Sequence, residues 1–371
     1  MKVKVFLILG TLVLLAGCTS TSSGGSNSSS AGARRLASDL NAMNGGSTAV
    51  NGNTIMLIKG TSVQKDLIVP TGVTLEITGD GGLYLQDNIT LTVNGTINAP
   101  SNKIGWDTNR DSRSITINGN GTINLMSKGC LLGVWGGDGI ERKLTLDGVT
   151  LVGLADNDSS LVVVIDGSEL VMKSGTITGN TRTSDDWAEG GGVFVANGST
   201  FIMEGGEISG NSVVGTRASS GGGVVVQHGP FIMEGGVIYG NSALSSTGEA
   251  IAGGIRIVSG TFTMKGGSIY GNTAQGRIES EPGGVFVSNG SIFIMEGGRI
   301  QGSTDSDGFT RNTSAVGFSA LKMNNTCTAR WGTDGTYIKG GVSQAGDSFI
   351  VPLDPNRSTG TDDTLIAIPA P

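Results

Sequence analysis

Apolar residues alternate with polar ones in short runs along this chain of 371 residues, and glycine or asparagine follows most of the runs. Val193 and Val195 form one such pair, Phe201 and Met203 form the next, and Ile208 follows them. An alternation of period two predicts β-strands that bury one side. No window of this region has the period of an amphipathic helix, so the pattern indicates an all-β fold.

The pattern returns every 30 or 31 residues, as the positions of one methionine show: 203, 233, 264 and 295. A phenylalanine precedes each methionine by two residues, and an asparagine recurs as Asn180, Asn211, Asn241 and Asn272. A fixed period of this size is typical of a solenoid, whose units bury their apolar sides by stacking. Three short strands per unit predict a right-handed parallel β-helix.

Similar apolar pairs extend the stack beyond the four clear copies. With those copies they number ten: Leu75/Ile77, Leu91/Val93, Ile115/Ile117, Leu144/Leu146, Leu170/Met172, Phe201/Met203, Phe231/Met233, Phe262/Met264, Phe293/Met295 and Leu321/Met323. The sequence therefore predicts about ten coils over residues 34–341, with regular repeats at about 160–315.

Glycine and asparagine mark the predicted turns. The chain has 64 glycines, yet the regular spacing of its large apolar residues argues against disorder. Each repeat contains the tetrapeptide Ile-x-Gly-Asn, and we expect its asparagine to occupy a left-handed turn position. Its side-chain amide is expected to bond to the same amide one coil away.

The first residues resemble the signal of bacterial lipoproteins. Lys2 and Lys4 precede an apolar run that ends in Leu-Ala-Gly-Cys at 15–18, a tetrapeptide similar to a lipobox. The resemblance implies a signal peptide at 1–17, lipid on Cys18, and attachment to the outer membrane or cell surface. Residues 18–33 are predicted to be a flexible tether, residues 34–43 a capping helix, and residues 342–371 a C-terminal cap.

The net charge bears on the expected partners, and the cysteines bear on whether the fold contains a disulfide. The net charge is −7, the pI is about 4.8, and no basic cluster exceeds two residues, so nucleic acid is not an expected partner. Cys130 and Cys327 lie on distant coils and are expected to be buried thiols without a disulfide. No cofactor and no metal are expected.

After each Gly-Asn, about ten residues differ from repeat to repeat. These divergent segments are Thr181–Gly190, Ser212–Gly221, Ser242–Ala252, Thr273–Pro282 and Thr304–Ser314. We expect them to be loops in one row that supply no inward side chain. Such a row is typical of a recognition surface. The candidate binding residues are Arg182, Trp187, Arg217, Arg277 and Arg311; neutral drift of uncontacted loops is the alternative.

Catalysis is a second hypothesis. Asp185, Asp186 and His228 superficially resemble the acid pair and histidine of polygalacturonases, but the Asn-Thr-Asp and Gly-His-Gly signatures are absent. Repeat alignment places His228 with Asn197, Ser259 and Asn289 at a turn, and it places Arg256 on the outward side of a strand. A calcium site is a further alternative, because Asp156, Asp158, Asp185, Asp186 and Glu189 fall in successive loops.

A family resemblance completes the prediction. Gly-Gly-Val at 222–224 with Ile-Ser-Gly-Asn at 208–211 is similar to the paired motifs of polymorphic outer-membrane proteins, with Ile in place of Phe. The resemblance covers about residues 160–315 and implies a surface-displayed, often adhesive β-helix; pectate-lyase-like β-helices supply the enzyme analogy. A lipid-anchored module that binds a polysaccharide or a host or neighbour-cell protein ranks first. A polysaccharide lyase or glycoside hydrolase and a passive structural coat are the alternatives.

Overall fold

The computed structural model describes residues 27–339, apart from 44, 109–111, 138, 302–311, 315–320, 324–325 and 332–335, and also the pair 365–366. Within this part the chain forms one helix and forty strands in five sheets. Strands of successive coils pair in parallel, so the all-β prediction is confirmed as a parallel β-solenoid of about seven turns. The predicted signal peptide, Cys18, Arg311 and most of the C-terminal cap lie outside the described residues.

Each regular coil has five strands, whereas the sequence predicted three. We number the five sheets as faces one to five in the order in which the chain passes through them. Face one contains Leu67–Val69, Ile89–Val93, Ser114–Asn118, Lys143–Asp147, Glu169–Met172, Thr200–Met203, Pro230–Met233, Thr261–Met264, Ile292–Met295, Thr328–Trp331 and the antiparallel Thr336–Lys339. Face two contains Thr48–Asn51, Thr54–Val63, Thr74–Leu85, Thr96–Ala99, Ile104–Trp106, Thr122–Leu125, Thr150–Val152, Thr176–Thr178, Glu207–Ser209, Val237–Tyr239, Ser268–Tyr270, Arg299–Ile300 and Leu365–Ile366, the first and last being antiparallel.

The other three faces are shorter. Face three contains Thr181–Ser184, Ser212–Gly215, Ser242–Ser245, Thr273–Gln275 and Thr313–Ser314. Face four contains Trp187–Glu189, Ala218–Ser220, Glu249–Ile251 and Glu279–Ser280. Face five contains Leu132–Trp135, Val162–Ile165, Val193–Val195, Val224–Gln227, Ile255–Val258, Val285–Ser288 and Leu321–Met323.

The coil count differs slightly from the predicted ten, and two of the ten apolar pairs belong to other faces than the rest. Leu75/Ile77 lies on face two and Leu321/Met323 lies on face five, whereas the other eight pairs stack on face one. All three faces bury every second residue, so the alternation alone does not tell them apart.

Faces one, two and five enclose the large core. Phe231 on face one, Ile238 on face two and Val226 on face five are fully buried. The Phe231 ring stacks on Phe201 at 4.7 Å and on Phe262 at 5.0 Å between ring centroids. This ladder of identical side chains confirms the register predicted from the repeat.

A ladder of buried asparagines marks the corner between faces two and three. The Nδ2 of Asn211 donates to Oδ1 of Asn241 at 3.2 Å, and Asn241 donates to Asn272 at 3.0 Å. The predicted amide ladder is therefore confirmed. Its turn position was wrong: the positive φ belongs to the preceding glycine, as at Gly210 with φ 61°, where an L side chain would be strained.

Faces three and four are made by the divergent segments, which were predicted to be loops without inward residues. That prediction is wrong. Five buried side chains form a separate small core between these faces: Ala188, Val213, Ala243, Ala250 and Ala274. The backbones approach closely beside it, since a Cβ at Gly222 would lie 2.3 Å from the Ser242 carbonyl oxygen.

The helix Asn27–Asn41 covers the open end of the first coil. Ala33, Leu36, Ala37 and Leu40 are buried in the large core. The helix begins at Asn27 rather than 34 and ends at Asn41 rather than 43, so it takes up the second half of the predicted tether. Among the described residues, no helix has the length and apolar character needed to cross a membrane. Cys130 and Cys327 are buried free thiols, as predicted.

Candidate functional site

The turns that join face three to face four stack into one ridge, formed by residues 185–186, 216–217, 246–248 and 276–278. Backbone bonds hold each turn on the next: the Arg217 N–H donates to the Asp186 carbonyl, and the Arg277 N–H donates to the Gly248 carbonyl. The small core packs beneath these turns and sets how far they project from the solenoid. The divergent segments therefore do emerge along one edge, as their spacing predicted.

The ridge and its flank carry exposed side chains of mixed chemistry. Trp187 is 44% exposed and Ile278 is 77% exposed. Arg217 lies 3.9 Å from Asp186 in an exposed ion pair, and Arg277 is exposed as well. Exposed pairs of this kind contribute little stability. Three predicted binding residues, Trp187, Arg217 and Arg277, thus share this surface.

Arg182 lies elsewhere. It occupies the inward position of face three, level with Val213 on the next coil. Its guanidinium donates to the Glu189 carbonyl and covers the first end of the small core. Burial lowers the pKa of Arg182, while the charges of Glu189 and Asp158 oppose that change. The side chain supports the fold here and does not extend from the ridge.

Faces four and five meet at a sharp bend, and their outward sides converge on a buried ion pair. Arg256 Nη1 lies 2.7 Å from Glu189 Oε1 and 2.7 Å from Ser220 Oγ. Gln227 Nε2 donates to the second carboxylate oxygen at 2.8 Å. Only 13% of the Arg256 side chain and 21% of the Glu189 side chain are exposed. The pair holds face four against face five.

The electrostatics of this bend follow from its burial. Desolvation lowers the pKa of Arg256, and the carboxylates of Glu189 and Glu249 act in the opposite direction. A second ion pair between faces four and five lies nearer the C-terminal end of the solenoid, where Lys322 Nζ is 2.6 Å from Glu281 Oε2. Burial raises the pKa of Glu281, and Lys322 opposes that rise.

The sequence did not predict either ion pair, although it held a signal for the first. Arg256 aligns with Val225 and Phe286 on the outward side of face five, as predicted. The column is mostly apolar, with Lys322 as a second cation, and such a mixture on an outward side indicates that side chains of another face cover the column. Ile251, Ala252 and Phe286 form a small apolar cluster of their own.

The catalytic candidates are not brought together. Asp185 and Asp186 lie on the ridge, whereas His228 follows face five in a turn with φ 59°. Its predicted counterparts Asn197 and Ser259 have φ 54° and 52°, which confirms the turn alignment. The strands of faces four and five separate the aspartates from the histidine along the coil.

The acidic residues considered for calcium are dispersed among separate contacts. Asp156 pairs with Lys128 at 2.9 Å and accepts a bond from Thr183 at 2.8 Å. Lys128 is the main cause of the lowered pKa of Asp156. In the described part of the chain, no three Asp, Glu, His or Cys side chains are grouped so as to hold a metal ion.

The fold and the ridge define a parallel β-solenoid with one row of divergent turns. A scan against models of known families, a search of curated proteins and a search of solved structures each find no match to this chain.

Proposed function

We propose that this protein is a lipid-anchored module of the cell envelope that binds a ligand along the ridge, as an adhesin or a glycan-binding protein. One observation carries the proposal. The inward residues of the large core repeat almost unchanged, whereas the ridge residues differ in every coil. A constant scaffold with one variable, stacked edge is how repeat proteins build recognition surfaces.

The ridge side chains suit such a ligand chemically. Trp187 presents an amphipathic ring that packs against apolar sugar faces or peptide side chains. Arg217 and Arg277 present planar donors for carboxylate, sulfate or hydroxyl groups, and Ile278 adds apolar area. The ligand class is therefore a glycan with acidic substituents or a protein of the host or of a neighbouring cell.

The anchor is the second part of the proposal. Cleavage before Cys18 and acylation of its thiol would attach the solenoid through a short tether at the end covered by the helix. Cys18→Ala should abolish incorporation of labelled palmitate and partition into detergent. Retained labelling would contradict the anchor.

The binding proposal is tested with purified protein on an array of glycans and matrix proteins. The double variant Arg217→Ala/Arg277→Ala should bind the identified ligand at least about tenfold more weakly, because two charge-assisted contacts are lost. Arg34→Ala/Arg35→Ala is the matched control, since it removes two exposed charges from the helix. Equal losses in both variants would contradict a ridge site.

The same preparations distinguish the alternatives. Turnover of a polysaccharide that disappears in Asp185→Asn or Asp186→Asn protein would indicate an enzyme. Absence of any ligand on the array, with intact folding, would favour a passive structural coat.

A further inference from the structure

The first strand of face four, Trp187–Glu189, is an edge strand. It pairs in parallel with Ala218–Ser220 and lies at the end of its sheet. The preceding coil, which contains Asn157 and Val162, has no described strand of face four and is narrower at this position. Asn157 bridges to Arg182 on face three, and the chain has already reached face five by Val162. The solenoid therefore widens at this coil and leaves a step beside Trp187–Glu189.

Hydrogen bonds show which backbone groups are directed at the step. The Asp186 carbonyl accepts from Arg217 and Ala218, and the Gly190 N–H donates to Ser220, so these two residues face the next coil. Because backbone groups alternate along a strand, those of Trp187 and Glu189 face the step. The Glu189 carbonyl confirms this direction, since it accepts from Ser160 Oγ and from the Arg182 guanidinium.

Within the part of the chain that the structure describes, the other backbone groups of this edge have no hydrogen-bond partner on the side of the step. Beyond the strand pairing with Ala218–Ser220, no described residue forms a backbone bond with the N–H or C=O of Trp187. An edge of this kind is a template for a further strand. The Trp187 side chain, 44% exposed, lies on the same strand.

The charge around the step is negative. Asp156, Asp158, Asp185 and Asp186 are all exposed there. Lys128 neutralises the first at 2.9 Å, and Arg217 lies 3.9 Å from the last. The guanidinium of Arg182 also lies at the step, where the charge of Asp158 acts on it. Within the described residues neither Asp158 nor Asp185 forms an ion pair, and the four aspartates outnumber the three cations, so the surface around the edge favours a cationic partner.

We propose that the open edge of Trp187–Glu189 binds a basic, extended peptide segment, which adds to face four as a parallel or antiparallel strand. Its backbone pairs with the N–H and C=O of Trp187, and its lysine or arginine side chains meet Asp158 and Asp185. This site lies at the first end of the ridge: it uses Asp185 of the ridge and Trp187 of its flank, but not Arg217 or Arg277.

The test uses the full chain and a fluorescent peptide of alternating lysine and valine, followed by anisotropy and amide hydrogen exchange. Binding should slow exchange at the Trp187 and Glu189 amides and leave the Ala188 amide unchanged, because Ala188 faces the next coil. Trp187→Pro should weaken binding at least about tenfold, since it removes the edge donor. Trp187→Ala keeps that donor and should lose less. Asp185→Asn should weaken binding at low salt, and the loss should fade as salt is added.

Several results would overturn the proposal. Equal losses for Trp187→Pro and Trp187→Ala, with unchanged circular dichroism, would assign the contact to the side chain alone. If a peptide of alternating glutamate and valine binds equally well, charge does not select the partner and the basic peptide is the wrong occupant. If the protein self-associates without peptide, a second copy of the chain occupies the edge instead. The Arg217→Ala/Arg277→Ala variant should bind the basic peptide no more weakly than wild type. This variant therefore tests peptide binding at the edge independently of ligand binding along the ridge.

Discussion

The solenoid has two cores that differ in the size of their side chains. The large core stacks phenylalanines, as at Phe201, Phe231 and Phe262. The apolar side chains of the small core between faces three and four are alanine and valine only, as at Val213 and Ala243. Both are fully buried ladders with parallel register. The same backbone arrangement is therefore built with two very different amounts of apolar area.

The difference explains why only one core is visible as a repeat. A stacked phenylalanine fits best beside another phenylalanine of the same rotamer, so the large core keeps its residues from coil to coil. In the small core the sheets are too close for large side chains, and alanine, serine and glycine replace one another. Small residues give no strong alternation, which made these segments resemble loops.

The largest expected effect is a cavity in the large core. Phe231→Ala removes a ring that packs between two others and should lower the free energy of unfolding by about 3–5 kcal/mol. Urea unfolding followed by circular dichroism measures the change. Ile232→Ala on the outward, half-buried side of the same strand is the control and should cost much less. Similar losses at both positions would contradict the orientation of face one.

Particular residues show how much of the fold and of the candidate site the sequence predicted. It predicted the ladder through Phe231, the turn at His228 and the shared edge of Trp187, Arg217 and Arg277. It placed Leu75 on the wrong face because all faces have period two. It missed that Arg182 points inward, since the side on which a residue faces depends on the lengths of turns that the sequence does not define. The ion pair of Glu189 and Arg256 was missed because it joins residues two coils apart.

An intermediate effect is expected from overpacking the small core. Ala243 is fully buried, and the alanine at 250 belongs to the same cluster. Ala243→Leu should lower the free energy of unfolding by about 1–3 kcal/mol, because closely packed sheets must move apart to accept the larger side chain. Thermal unfolding measures it, and Leu244→Ala on the outward side of the same strand is the control. An Ala243→Leu protein as stable as wild type would show that faces three and four do not enclose a packed core.

The smallest effect is expected on the outer surface of face one, where neither core is involved. Lys265 follows the stacked Met264 and lies 3.0 Å from Glu234, with Glu296 on the following coil. Lys265 therefore lies between glutamates of the two neighbouring coils, and its hydrogen bond with Glu234 raises the pKa of Lys265. All three side chains face water, so screening limits what the charges contribute.

Lys265→Glu should therefore lower the melting temperature only slightly, by placing like charges on four successive coils at positions 204, 234, 265 and 296. The loss should shrink as salt is added. Because the pKa of Lys265 is raised in the folded state, the lysine's contribution is complete below the ordinary lysine pKa and is lost as the pH rises through the higher folded value. Thermal melts at neutral and alkaline pH, with Lys265→Met as the neutral control, measure both trends. A loss that is the same at every salt concentration would mean that packing, and not the stacked charges, sets the stability of this surface.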